Sequence, residues 1–475
     1  MSDLIWRSAR SLTAAMRRRE LSAEALMNAC YDQIERVNPS LNALVSLLPR
    51  EEALALARTA DTRLAQGAPV GPLHGLPMAP KDLIDAAGFP TTQGFVPFAH
   101  QVAAHDCLLT ARQRAAGALY IGKSNTPEFG LGSHTFNSLF GLTRNPWDPE
   151  RSAGGSSGGA AVALATGMLP LADGSDMGGS LRNPASFCNV VGLRPSIGRV
   201  PDDRPMAWLA RLSSNGPMAR SVADAALLLS VQAGPALSDP LSLERSGLEF
   251  DAALHRDLTG VRIAWSPDLG LTPVDGEVAS LVERAADTFA ALSCRVAADA
   301  PDLSGAMDVF QIQRAAALAV TGRTLEASIP DWRRHAKDTA VWNIERGFAL
   351  EAGDLLESEV QRSAIYRRVV RFFDHYDALV LPAAQVPPFP AELEWVSEIN
   401  GRRLDTYLDW MTICCAISVT GLPAISVPGG FTRSGLPVGI QIVAGPRQDF
   451  ELLQLAYRFE QATGFGQTHP EVATG

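Results

Sequence analysis

Two stretches rich in glycine and serine constrain this chain more than any other feature: Ser152-Ala153-Gly154-Gly155-Ser156-Ser157-Gly158-Gly159 and Asp173-Gly174-Ser175-Asp176-Met177-Gly178-Gly179-Ser180. Both read as loops, the second within a Gly- and Ser-rich segment over 172–182, and each ends near a segment able to start a helix. Glycine in that setting lets the backbone approach a ligand closely and turn its N–H groups inward. Such N–H groups bind phosphate or stabilise an oxyanion.

The rest of the chain alternates between helix and strand patterns. Leu12, Met16, the stretch Leu21 to Met27, then Ile34 and Val37 are apolar at helical spacing; Asn38-Pro39-Ser40 breaks the pattern and Ala53 to Leu64 resumes it. Further helices are expected over 107–117, 160–167 and 278–292, and strands over 169–171, 261–265, 378–381, 424–427 and 438–443. Between them lies a long loop over 124–159, and long loops in compact enzymes are usually functional. This alternation predicts an α/β fold with a mixed β-sheet covered by helices on both faces. The four prolines of 382–390 sit between expected strands and read as a rigid loop. No linker, internal repeat or low-complexity tract is visible.

The net charge of −10 offers no basic footprint for nucleic acid. Arg17-Arg18-Arg19 is a short cluster in an amphipathic pattern and reads as a solvated helix face. No apolar run approaches the ~18 residues of a membrane-spanning helix, and the N-terminus, Met1-Ser2-Asp3-Leu4-Ile5-Trp6, has no secretory pattern. The six cysteines are scattered without paired Cys-x-x-Cys motifs, which fits free buried thiols in a cytoplasmic protein and no structural zinc.

Two rival readings of the loops fail on their own chemistry. A P-loop needs Gly-Lys-Ser/Thr after its glycines, and neither stretch has a lysine there. Gly154-Gly155-Ser156-Ser157-Gly158 matches Gly-x-Ser-x-Gly, but a nucleophile elbow follows a buried strand, whereas Trp147 to Ser152 has loop chemistry. The eight histidines include none in a recognisable triad or metal context. A serine nucleophile here needs another base, and a lysine serves when burial depresses its pKa. Lys81, after the apolar Leu76-Pro77-Met78-Ala79-Pro80, is the best candidate.

These segments together resemble the amidase signature family. Gly75 to Asp82 is similar to the family's lysine segment, Gly154-Gly155-Ser156-Ser157-Gly158-Gly159 to its Gly-Gly-Ser-Ser-Gly-Gly core, and Asp176 to Arg182 with Gly192-Leu193-Arg194-Pro195 to its nucleophile segment. Ser180 follows Ser156 by 24 residues, as in the family pattern. The likeness extends through Lys123 to Gly130, Asn145-Pro146-Trp147, Thr420 to Pro428 and Gly435 to Gln441, so it covers nearly the whole chain. It implies one large domain of the amidase signature fold over residues 1–475. Within it are expected an N-terminal helical layer (1–65), a catalytic core (70–200), a variable substrate-shaping region (200–375) and a C-terminal part of the core (376–475).

The resemblance implies hydrolysis of an amide-type bond, with carbamates and esters as alternatives. Ser180 is the expected nucleophile, Ser156 the bridging serine on a cis peptide bond, and Lys81 the base. The oxyanion hole is expected from the backbone N–H groups of Met177, Gly178, Gly179 and Ser180. Ser157, Asp176 and Arg182 are expected to support the loops through hydrogen bonds. Ser175 and Met177 stand where the family commonly has threonine. No cofactor or metal is implied, and a homodimer is the family expectation. The alternative is the glutaminase subunit of a tRNA-dependent amidotransferase, which Asn183 and the nucleophile loop match less well; a non-catalytic binding protein conflicts with the intact Lys81, Ser156 and Ser180. Trp208, Phe310, Trp332, Trp342 and Phe348 are candidates for an apolar pocket wall, with core packing as the alternative for each.

Overall fold

Apolar strands set where the two glycine-rich stretches meet. The computed structural model describes residues 4–474 except 204, 210, 245–249 and 251, so Met1-Ser2-Asp3 and part of the 200–215 segment lie outside the described residues. The main sheet comprises β1 (Leu171–Asp176), β2 (Val191–Arg194), β3 (Ser214–Ala219), β4 (Arg262–Trp265), β5 (Arg295–Ala298), β6 (Ala378–Pro382), β7 (Ala424–Phe431) and β8 (Pro437–Ala444). Their order is β5-β4-β6-β8-β7-β2-β3-β1. β4 runs parallel to β5 and β6, and the other neighbours pair antiparallel, so the sheet is mixed.

Strands β6 and β8 are buried along their whole length, as strands covered on both faces must be. Side chains alternate between faces along a strand. Ile425 and Val427 of β7, with Ile440 and Ile442 of β8, join Phe289, Leu452 and Phe459 from the helices Gly276–Ala291 and Asp449–Thr463. Ala424 and Val443, with Leu379 and Leu381 of β6, join Phe310, Ile413 and Ile417 from the helices Ala306–Ser328 and Thr412–Thr420. Each large side chain so buried contributes roughly 1.5–3 kcal/mol. The chain is a single-domain α/β protein with helices on both faces of a mixed sheet.

Two local expectations are corrected. The second glycine-rich stretch begins as strand, not loop: Asp173-Gly174-Ser175-Asp176 completes β1, paired residue for residue with β3 so that Gly174 faces Gly216. Cross-strand pairing outweighs the weak strand preference of these residues. The helix Ala23–Leu41 also runs through Pro39 instead of stopping at Asn38. A proline in the last turn removes one backbone donor, and Asn38 Oδ1 then accepts the N–H groups of Ala43 and Leu44, both at 2.9 Å, as the chain leaves the helix. Among the described residues no helix is long and apolar enough to cross a membrane.

Candidate active site

Lys81 is fixed by its backbone before its side chain is considered. Pro77–Met78 pairs in parallel with Leu119–Tyr120, and Lys81 itself bridges Ser124. The Lys81 backbone N–H donates to Asp173 Oδ1 at 3.0 Å. The side chain is fully buried, and its Nζ donates to Ser156 Oγ at 2.7 Å, Ser157 Oγ at 3.0 Å and Ser175 Oγ at 3.2 Å. Burial lowers the Lys81 ammonium from its ordinary value to about 7, against the opposing pull of Asp176 and Asp173. A lysine with that value is substantially neutral at neutral pH, which an exposed lysine is not.

Ser156 follows a cis peptide bond with Gly155 and is 2% exposed. The helix Gly158–Ala165 starts two residues later. Ser157 N–H donates to Ser180 O at 3.2 Å, so the two glycine-rich stretches are stitched directly to each other.

After β1 the chain turns through Met177-Gly178-Gly179 to Ser180 and enters the helix Arg182–Cys188. Gly179 adopts φ +117°, which side-chain-bearing residues rarely do. At Gly178 a Cβ would stand 2.8 Å from Phe310 Cζ and 2.9 Å from Cys415 Sγ, so glycine is required by space. Asp176 organises this turn. Its Oδ1 accepts from Gly179 N–H at 2.9 Å and Arg182 Nη2 at 2.8 Å; its Oδ2 accepts from Leu181 N–H at 3.1 Å and Arg182 Nε at 3.0 Å. Asp176 and Arg182 are fully buried, not a surface ion pair. Burial alone would raise the Asp176 carboxyl, but Arg182, Arg194 and the Gly179 N–H together hold it below the usual carboxylate range. The Gly179 N–H, expected to face an oxyanion, is thus committed to Asp176. The N–H groups of Met177, Gly178 and Ser180 have no protein acceptor among the described residues.

Several contributors were not assigned from the sequence. Arg194 adds a second guanidinium to Asp176 at 3.3 Å, Gln441 accepts from Arg182, and Ser175 and Asp173 both contact Lys81. Asp173 and Ser175 are two apart on β1 and share a face, a period-two signal that a loop assignment over 172–182 conceals.

Ser156 and Ser180 open onto one cavity of about 710 Å³, whose wall also includes Met177, Gly178, Phe310 and Arg314. That volume suits a small organic substrate. Of the five candidate wall aromatics, Phe310 alone reaches the cavity. Trp332 and Phe348 lie in a separate cluster with Leu318 and Leu325, backing the wall from behind. Trp208 is 75% exposed and Trp342 lies at the surface, where it meets the Tyr407 ring edge-on.

The Amidase family model matches residues 25–453. The chain is 36% identical to an acylamidase of Rhodococcus erythropolis, with 98% of each chain covered. It is also 36% identical to a glutamyl-tRNA(Gln) amidotransferase subunit from Thermosynechococcus vestitus, covering 96% of this chain and 98% of that one. A crystal structure of a bacterial aryl acylamidase of the amidase signature family superposes with a TM-score of 0.92 at 29% identity, over 99% of both chains. With a family model spanning most of its length and relatives aligned end to end, the chain belongs to the amidase signature family and is an amide-hydrolysing enzyme.

Proposed function

We propose that this enzyme is a free-standing amidase that cleaves a small carboxylic amide through an acyl-enzyme on Ser180. The observation that carries the reading is the buried Lys81 Nζ, 2.7 Å from Ser156 Oγ and with its pKa lowered to about 7. In this scheme Ser180 Oγ attacks the substrate carbonyl while its proton passes to Ser156 and from Ser156 to neutral Lys81. The backbone N–H groups of Met177, Gly178 and Ser180 receive the negative charge that develops on the carbonyl oxygen. Gly179 serves by its backbone conformation, its own N–H being held by Asp176. Collapse of the tetrahedral adduct breaks the C–N bond, and the proton returns through Ser156 to the leaving amine. Water then attacks the acyl-enzyme along the same relay and releases the acid.

Ser157 and Ser175 hold Lys81 Nζ in position, and Asp176 with Arg182 holds the nucleophile turn. Residues 200–375 shape the substrate cavity, a role supported by the walls that Phe310 and Arg314 provide. Six free cysteines, five of them buried, suit a reducing cytoplasm.

The amidotransferase reading has one observation in its favour, the end-to-end identity to a protein of that kind. Under it the same residues release ammonia from glutamine for a partner. Hydrolysis of an aryl acylamide, benzamide, a phenyl carbamate, a nitrophenyl ester and glutamine by purified protein separates the two, with Lys81→Ala, Ser156→Ala and Ser180→Ala alongside. Turnover of simple amides that each substitution abolishes supports the amidase. Activity on glutamine alone moves the assignment to the amidotransferase, and turnover that survives Ser180→Ala sinks the mechanism.

A further inference from the structure

The helix Ala306–Ser328 lays a stripe of side chains along the cavity: Phe310, Arg314, Leu318, Thr321 and Leu325. Their spacing of three to four residues is that of one helix face. Phe310 packs where a Cβ on Gly178 would go, so this end of the stripe abuts the nucleophile turn. Arg314 stands one turn further on, about 6 Å along the helix axis.

Arg314 is only 4% exposed, yet among the described residues no carboxylate lies within ion-pair distance of it. Its guanidinium donates to the neutral carboxamide oxygen of Asn343 and lies 5.4 Å from the centroid of the Tyr407 ring. Asn343 is itself fixed, donating to Tyr407 Oη and to Thr339 O, both at 2.6 Å. Arg211, on the same cavity wall, is neutralised by both oxygens of Asp239 at 2.5 and 2.7 Å. The carboxylates Asp85, Asp106, Asp202 and Asp203 line the same cavity; Asp106 pairs with Arg114 at 2.7 Å, and Asp203 accepts from Leu108 N–H at 3.1 Å. A buried guanidinium without a counter-charge is costly unless an anion completes it. Its planar fork suits a carboxylate.

Resting on the amidase reading above, we infer that Arg314 is a receptor for a carboxylate on the substrate, making the preferred substrates amides that carry an acid group one helical turn from the scissile carbonyl. Asn343 and Tyr407 position the guanidinium without neutralising it.

The test uses matched pairs: glutaric acid mono-4-nitroanilide against pentanoic acid 4-nitroanilide, and N-acetyl-4-aminobenzoate against N-acetyl-4-toluidine. The first pair puts the acid on the acyl side and the second on the amine side. Arg314→Gln is expected to lower kcat/KM for the acid member of one pair by about 10- to 100-fold, mainly through KM. The neutral member loses at least about tenfold less than the acid member, and Arg314→Lys recovers part of the acid-specific loss. Equal losses on both members of each pair, or no loss on either, overturn the inference while leaving the amidase reading intact. A binding arm does not depend on turnover. Glutarate and 4-aminobenzoate are titrated calorimetrically into Ser180→Ala protein with and without Arg314→Gln. Binding of either that weakens about tenfold with Arg314→Gln supports the receptor, even if no amide is turned over and the amidase reading fails. Binding indifferent to Arg314 overturns it.

Discussion

Asp176 Oδ1 accepts the backbone N–H of Gly179 at 2.9 Å, across a turn of only three residues. That contact takes one donor out of the Met177-Gly178-Gly179 turn and fixes the direction of its neighbours. A carboxylate that also receives Leu181 N–H and two arginines cannot move without unpicking the turn. The positioning of Ser180 is therefore tied to a buried electrostatic cluster that does not itself need to touch substrate.

Breaking this cluster is expected to cost both stability and activity. Asp176→Asn leaves Arg182 and Arg194 buried without their negative partner, and loss of one member of a buried pair typically costs about 3–5 kcal/mol. Because the folded carboxyl is held below its ordinary range, its contribution is present above the usual carboxylate pKa and fades as pH falls through the folded value. Urea unfolding at pH 7 checks the magnitude. The deficit of the variant should shrink as the pH is taken down through the carboxylate range.

The pH dependence of catalysis follows from Lys81. A base must be neutral to accept a proton, so kcat/KM for an amide is expected to rise tenfold per pH unit below about 7 and to level above it. An ascending limb centred near 10.5 instead, the ordinary lysine range, is incompatible with Lys81 acting as the base.

Lys81 also makes a prediction about stability. Between about pH 7 and 10.5 the unfolded chain carries a proton on this lysine that the folded chain has released, so wild-type stability rises with pH across that window. Lys81→Met removes the penalty of keeping the group neutral. It is expected to abolish activity and to stabilise the fold at pH 7 by roughly 1–4 kcal/mol, the hydroxyls of Ser156, Ser157 and Ser175 losing a partner in exchange. The gain should narrow when denaturation is repeated at pH 9.5. A variant less stable than wild type at pH 7 contradicts this account.

Gly178→Ala tests the packing of the helix Ala306–Ser328 against the turn. The new methyl meets Phe310 Cζ and Cys415 Sγ at under 3 Å, so either the helix or the turn must give. Strain of about 1–3 kcal/mol is expected, with activity falling at least tenfold as the neighbouring backbone donors shift. Phe310→Leu in the same chain should restore part of the activity, whereas the same rescue applied to Asp176→Asn should restore none.

The sequence by itself determined the class of fold and named the candidate chemistry-bearing positions. Glycine-serine stretches of fixed spacing, a lysine in an apolar segment and the alternation of helix and strand patterns depend on residue type and order, and these are local properties. The sheet order, with β1 at one edge and β8 near the middle, came from tertiary pairing. So did the strand character of Asp173 to Asp176: the partner that stabilises it, β3, lies some forty residues away. Burial decided the rest. Whether Asp176 and Arg182 formed a surface pair or a buried clamp, which aromatic reached the cavity, and that Arg314 was left without a counter-charge all depend on which distant segments exclude water from a given side chain. A one-dimensional pattern names the groups; only the packed chain sets their dielectric surroundings and their partners, and those fix pKa, geometry and specificity.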